Sequence, residues 1–289
     1  MTPVQKRFVY WITERESIRL KKESGAPRPW TKDPILHAKK FCNVNREHDT
    51  VTRWIARHVR PLLNGASLSE ALFQLYICRV FNDPDVLETI MPVQTVDDMV
   101  SVLQRRKANG LKILRGAYLV VPHGTSMPVE EFYAAIAFKV RKLKFPHGVP
   151  DTLARVAEEL MSLSGIHDFM ANQVCTDLRY TPSHDAWDDW GSFVLAGPGT
   201  RRGLARYFAE LGQTPRRASN GRVSGLSGSL GPTLLEIRER VCPLLPPATA
   251  DHFRDPNNLA NSFCEFDKYE RALEGTASLR MYVPEPSIM

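Results

Sequence analysis

The run Asp185-Ala186-Trp187-Asp188-Asp189-Trp190 leads shortly into Gly197-Pro198-Gly199-Thr200-Arg201-Arg202-Gly203, so carboxylates, indoles and a basic glycine turn are neighbours in this chain. A carboxylate pressed against an indole loses hydration, which raises its pKa and suits it to accept a proton. Asp185, Asp188 and Asp189 are the candidates here, and Asp177 is a further one on the preceding helix. In the glycine turn, Gly197 and Gly199 let an anion approach the backbone, Thr200 can cap the next helix, and Arg201 and Arg202 can close a phosphate or pyrophosphate cradle. An exposed acidic loop followed by a turn with surface arginines would be written the same way.

Three other blocks carry polar groups in suggestive patterns. Leu163-Ser164-Gly165-Ile166 is a short apolar turn between two helix-like segments, the spelling of a helix-hairpin-helix element over about residues 153–180. There, N–H groups around Gly165, with His167 beside them, can hold a nucleic-acid phosphate without reading a base; a plain corner in a helical core is the alternative. Near the C-terminus, Asn261, Glu265 and Lys268 fall on one helical stripe while Leu259, Phe263 and Phe266 fall on another, so one face packs and the other presents an amide, an acid and an ammonium. Near the N-terminus, Arg46 and Arg53 are seven residues apart in FCNVNREHDTVTRW, a spacing that predicts a shared helix face able to grip a DNA backbone.

The elements that must position these groups are helices. Val4, Phe8, Trp11 and Ile12 recur at helical spacing, predicting a helix to about Lys22 that breaks at Gly25-Ala26-Pro27-Arg28-Pro29. Asp33-Pro34 starts another, and Ser67-Leu68-Ser69-Glu70 and Thr95-Val96-Asp97-Asp98 have capping-box spacing. Amphipathic patterns over Pro128–Lys144 and Pro150–Leu163 continue the series. Leu111–Val121 is the one stretch that reads as extended or as a packed loop, and Gly221–Gly231 reads as a flexible connector. Neither GxxxxGK[ST] nor GxGxxG occurs, which argues against a nucleotide-binding α/β domain. The expected architecture is one all-α domain over residues 1–289, with ten or more helices and no internal repeat.

Bulk properties bound the function. The 289 residues are 43% hydrophobic and 24% charged, a soluble globular composition with ample chain for a core. No apolar run reaches the ~18 residues of a membrane span, and MTPVQKRFVYW lacks a signal-peptide core, so a cytoplasmic protein is expected. Five scattered cysteines contain no CxxC pair, and no metal-ligand spacing is visible. The net charge of +6, with a pI near 9.1, suits a polyanionic partner without requiring one.

Taken in order, ERESIRLKK, PWTKDPIL, FCNVNREHDTVTRW, RVFNDP, the hairpin with DLRY, GPGTRRGL and NSFCEFDKYERALEG resemble the phage thymine-hypermodification enzymes, the amino acid:DNA transferases first described as α-glutamyl/putrescinyl thymine pyrophosphorylases. That family is in turn similar to the helical domain of 5-hydroxymethyl-deoxyuridine DNA kinases and, more remotely, to helix-hairpin-helix DNA glycosylases. The resemblance covers roughly residues 8–283 and implies a glycosylase-like fold and a double-stranded DNA substrate with a modified thymine. On that substrate an amino acid or polyamine displaces pyrophosphate from a pyrophosphorylated 5-hydroxymethyl group. It implies Asp189 or Glu265 as the base, Arg201, Arg202 and Lys268 with the N–H groups near Gly199 around the departing pyrophosphate, and a flipped nucleotide stacked on Trp187, Trp190 or Phe193 near Asn261. No cofactor is identified, and Mg²⁺ could enter through the substrate phosphates. The separate P-loop domain of the kinases has no counterpart in these residues, which favours transfer over phosphorylation. Phe169 stands where a glycosylase nucleophile would bring lysine, against excision by a lysine. A glycosylase or lyase acting on a modified pyrimidine, or a silent DNA-binding subunit, are the alternatives.

Overall fold

The computed structural model describes residues 1–114, 126–145, 148–182, 187–209 and 230–276, the side chains of 230–232 excepted. Among them are thirteen α-helices and no strand, so the all-α class is the observed one. In chain order they are α1 (Pro3–Glu23), α2 (Pro34–Ala38), α3 (Thr50–His58), α4 (Leu68–Phe81), α5 (Pro84–Ile90), α6 (Val96–Ala108) and α7 (Val129–Arg141). There follow α8 (Leu153–Met161), α9 (Asp168–Leu178), α10 (Pro198–Ala209), α11 (Leu230–Val241), α12 (Pro247–Asp251) and α13 (Pro256–Leu273). No helix among the described residues is long and apolar enough to cross a membrane, and the five cysteines are free thiols. The extended reading of Leu111–Val121 falls outside the described residues from 115 onward, as do Asp185 and most of the Gly221–Gly231 connector.

Local chemistry sets the helix ends. Thr2 and Gln5 form a reciprocal capping box at the start of α1, with Pro3 at the first helical position. Asp33 accepts the Ile35 and Leu36 N–H groups ahead of α2, while the Ser67 and Thr95 hydroxyls accept from Glu70 and Asp98 ahead of α4 and α6. At the other end of α4, Asn82 takes the left-handed conformation (φ 45°) and stops the helix.

The contacts divide the chain into two compact units, one made of Met1–Arg46 with Gly191–Met289 and the other of Glu47–Trp190. The first unit is built around α13. Phe8 of α1 stacks on Phe263 of α13 with centroids 4.3 Å apart, and Tyr207 of α10 meets both rings edge-on. Each such aromatic pair adds about 0.5–1.5 kcal/mol beyond its buried area. Helices α10 and α13 approach unusually closely because Gly199 and Gly203, four residues apart, face α13. A Cβ on Gly203 would sit 2.1 Å from the Phe263 carbonyl oxygen, and one on Gly199 would sit 2.4 Å from Cys264 Sγ.

In the second unit α4 is buried along nearly its whole length and packs against α7 and α9. Helices α8 and α9 pack on each other across the turn at 162–167. Within that turn Gly165 has φ +100°, and a Cβ there would lie 2.6 Å from Ile136 Cδ1, so two constraints favour glycine.

Candidate functional site

The first unit brings three of the sequence blocks into one polar network. From α1, Arg15 donates to the Cys42 carbonyl (3.0 Å), the Phe41 carbonyl (3.3 Å) and Asn43 Oδ1 (2.7 Å). From α13, Glu265 accepts the Cys42 N–H at 3.0 Å and pairs with the Lys268 ammonium. Between them, Asn261 Nδ2 donates to the Asn43 carbonyl at 3.3 Å and Asn261 Oδ1 accepts from Arg46 Nη1 at 3.4 Å. Asn258 Oδ1 then accepts the Arg46 N–H at 2.9 Å. Glu265, Asn261 and Lys268 thus share the stripe that helical spacing predicts, but Glu265 is only 2% exposed, so its pair with Lys268 is no surface decoration.

Burial disfavours the charge of Lys268, yet the Glu265 carboxylate against it outweighs that and raises the ammonium pKa above its ordinary value. Lys268 therefore cannot serve as a base at neutral pH and is instead a fixed cation, 35% exposed along its side chain. The neighbouring Cys264 thiol is pushed up, by burial first and then by the adjacent carboxylates, so it stays protonated and unreactive.

The same network runs on to His252. Asn258 Nδ2 donates to Asn45 Oδ1 (3.4 Å), Asn45 Nδ2 faces His252 Nδ1 (3.3 Å), and His252 Nε2 faces Glu16 Oε1 (3.1 Å). Burial opposes the charge of Glu16, but His252 and Arg19 overcome it and lower its pKa to about 2. Glu16, Asn45, Asn258 and His252 were not predicted; the only sequence signal was that Glu16, Asn45 and Asn258 sit inside or beside the polar blocks.

Other predicted residues have different surroundings. Asp189 accepts the N–H groups of Leu153 (2.8 Å) and Ala154 (2.9 Å), so its carboxylate closes the first turn of α8 rather than standing free to take a proton. Asp177 is fully buried and accepts from Arg60 and Arg79. Burial disfavours its charge, but the two guanidiniums hold its pKa below the usual carboxylate range, so it is a poor base. Arg79, which also donates to Thr52 Oγ1 at 3.1 Å, explains the RVFNDP block, and Arg60 stacks 5.0 Å from the Tyr180 ring centre.

Arg46 and Arg53 do not share a helix face. Arg46 opens a short 3₁₀ turn, Asp49 breaks the path with extended backbone (ψ 141°), and Arg53 begins afresh on α3. His167 is exposed at the N-cap of α9 and makes no capping bond.

In the glycine turn, Thr200 does not cap a helix. It lies inside α10 and donates to the Ala260 carbonyl at 2.9 Å, while Arg202 donates to the buried Asp267 at 2.8 Å. Gly197 accepts the Arg201 N–H in the first turn of α10, and Gly199 serves helix packing as described. Of the aromatic wall, Phe193 is buried at 3% exposure, Trp187 is half-buried, and Trp190 donates to the Arg179 carbonyl at 2.8 Å with the Arg179 guanidinium 5.6 Å from its centroid. A cavity of about 290 Å³ in the first unit, lined by Gln5, Val9, Tyr207 and Arg240 among others, contains none of the predicted site residues.

Comparison with known proteins matches residues 2–278 to the family model described as "5-hmdU DNA kinase, helical domain". A curated relative, the 5-hmdU DNA kinase of Bacillus phage SP10, is 25% identical over 226 residues, covering 70% of this chain and 36% of the relative. The chain thus spans about a third of the length of the relative that it matches. No solved structure matches.

Proposed function

Because the chain belongs to the family of 5-hmdU DNA kinase helical domains, we propose that it acts on DNA carrying 5-hydroxymethyl-deoxyuridine or a base made from it, as one step of thymine hypermodification. The finer reading is transfer: an amine attacks the exocyclic methylene of a pyrophosphorylated 5-hydroxymethyl-deoxyuridine, the new C–N bond forms as the C–O bond breaks, and pyrophosphate leaves with the electron pair. One proton of the attacking amine must be lost, and its uptake is assigned to Glu265, the carboxylate beside Lys268. The observation that carries this reading is Lys268, kept protonated by Glu265 beside Asn261 on a face buttressed by Arg15 and Arg46. A fixed cation in a partly desolvated setting stabilises an oxyanion as its charge develops, which is the main electrostatic demand of the reaction. Arg201 and Arg202, early in α10, are assigned to the same pyrophosphate. The α8–α9 turn around Gly165, with His167, is assigned to a DNA phosphate, and Trp187 and Trp190 to the flipped base.

The test is incubation with duplex DNA bearing 5-pyrophosphoryloxymethyl-deoxyuridine and a panel of amino acids and polyamines, followed by nucleoside mass spectrometry. An amine adduct with one donor supports transfer, and the absence of any adduct removes it. The match to the helical part of a kinase favours a second reading, a domain that binds such DNA and presents it to a catalytic partner. That reading expects salt-dependent affinity for DNA carrying 5-hydroxymethyl-deoxyuridine and no change in its nucleosides.

A further inference from the structure

Asp267 of α13 has no exposed surface, yet three guanidiniums converge on it. Arg202 Nε of α10 donates to Oδ2 at 2.8 Å, Arg206 Nε of α10 donates to Oδ1 at 3.1 Å, and Arg271 Nε of α13 forms an ion pair with Oδ2 at 3.2 Å. The spacing explains the convergence: Arg202 and Arg206 are one turn apart on α10, Asp267 and Arg271 one turn apart on α13, and the glycines at 199 and 203 bring the two helices together. One buried carboxylate needs one good cationic partner, and a second can be justified by its other oxygen. A third guanidinium adds like-charge repulsion without a remaining carboxylate to satisfy. The exposed Glu274 takes up part of the excess by pairing with the Nη groups of Arg206. Among the described residues, the Nη groups of Arg202 and Arg271 make no hydrogen bond, and these side chains remain 52% and 33% exposed.

We propose that Arg202, Arg206 and Arg271, gathered around Asp267, form a binding site for a phosphoryl oxyanion. Asp267 is its positioning residue: by accepting from Arg202 and Arg206 through their Nε atoms and ion-pairing with Arg271 it leaves planar N–H forks, the donor geometry that matches phosphoryl oxygens. Glu274 occupies one fork as an internal competitor. The site rests on the transferase reading only for the source of its anion, which is either the departing pyrophosphate or a DNA backbone phosphate. Arg206, Arg271 and Asp267 have no part in the transfer step itself.

The experiment measures binding of inorganic pyrophosphate by calorimetry and of unmodified duplex DNA by fluorescence anisotropy, at fixed salt, for the wild-type chain and for Arg202→Ala, Arg271→Ala and Glu274→Gln. Each arginine variant should weaken one probe roughly tenfold, as expected for one charge-assisted contact. Glu274→Gln should tighten the same probe several-fold by freeing Arg206. A loss confined to pyrophosphate assigns the site to the leaving group, and a loss confined to DNA assigns it to the backbone. Both probes staying within twofold of wild type in all three variants overturns the site. Should an arginine variant fail to fold, Glu274→Gln at the exposed end of α13 decides alone: tighter binding supports the site and unchanged binding refutes it. Neither probe depends on amine transfer, so a chain that binds pyrophosphate here without forming adducts refutes transfer and keeps the site.

Discussion

In the proposed transfer reaction Lys268 is the decisive side chain, because Glu265 holds its charge against the opposing effect of burial. Lys268→Met should lower the rate of adduct formation about 10²–10³-fold, the usual cost of removing one oxyanion-stabilising group. Affinity for DNA should change less than threefold in the same variant, and an unaltered rate removes Lys268 from the site. Glu16 makes a pH prediction of its own. Its carboxylate falls from an ordinary 4.5 to about 2 in the folded protein, so it binds fewer protons folded than unfolded. The stability it contributes is complete above about pH 4.5 and is lost as pH falls toward 2. Glu16→Gln should flatten that part of the acid limb in urea titrations, whereas an acid limb identical to wild type would show that Glu16 is not the group responsible.

Helices decide where the sequence was legible and where it was not. Caps and periodicity are local, so the starts of α2, α4 and α6, the course of α1 and the stripes of α13 could be read from Asp33, Ser67, Thr95, the Val4–Phe8–Trp11–Ile12 repeat and the Asn261–Glu265–Lys268 spacing. The partners of a carboxylate are not local. Asp189 beside two tryptophans reads the same whether it awaits a proton or, as here, accepts N–H groups 35 and 36 residues earlier in the chain. Gly199 and Gly203 pose the same problem, since glycines that admit an anion and glycines that admit a neighbouring helix are spelled alike. Gly203→Ala therefore tests the helix-contact role. A methyl 2.1 Å from the Phe263 carbonyl must push α10 off α13 and should cost about 2–3 kcal/mol in urea unfolding, in line with overpacking elsewhere. A variant as stable as wild type would contradict the close approach. Gly165→Ala, at φ +100°, should cost about 1–2 kcal/mol from backbone strain; if the turn also holds a phosphate, DNA affinity should fall beyond what the lost stability explains.

For the whole molecule, sequence order and contact order part company. The first unit is assembled from both ends of the sequence, so the blocks around Arg15, Asn43 and Glu265 become neighbours although more than 200 residues separate some of them, as in the Cys42–Glu265 bond with a separation of 223. A net charge of +6 on such a scaffold favours a polyanion. Affinity for duplex DNA should fall at least tenfold between about 50 and 200 mM salt if several phosphates are neutralised, and a flat salt profile would count against DNA as the partner. The most direct measurement follows both products of one reaction: nucleoside mass spectrometry and pyrophosphate release, recorded together on 5-pyrophosphoryloxymethyl-deoxyuridine DNA with an amine donor. Amine transfer requires one pyrophosphate for each adduct, with both signals lost together in Lys268→Met. Free base with abasic sites, or intact starting nucleoside with no pyrophosphate released, would contradict it.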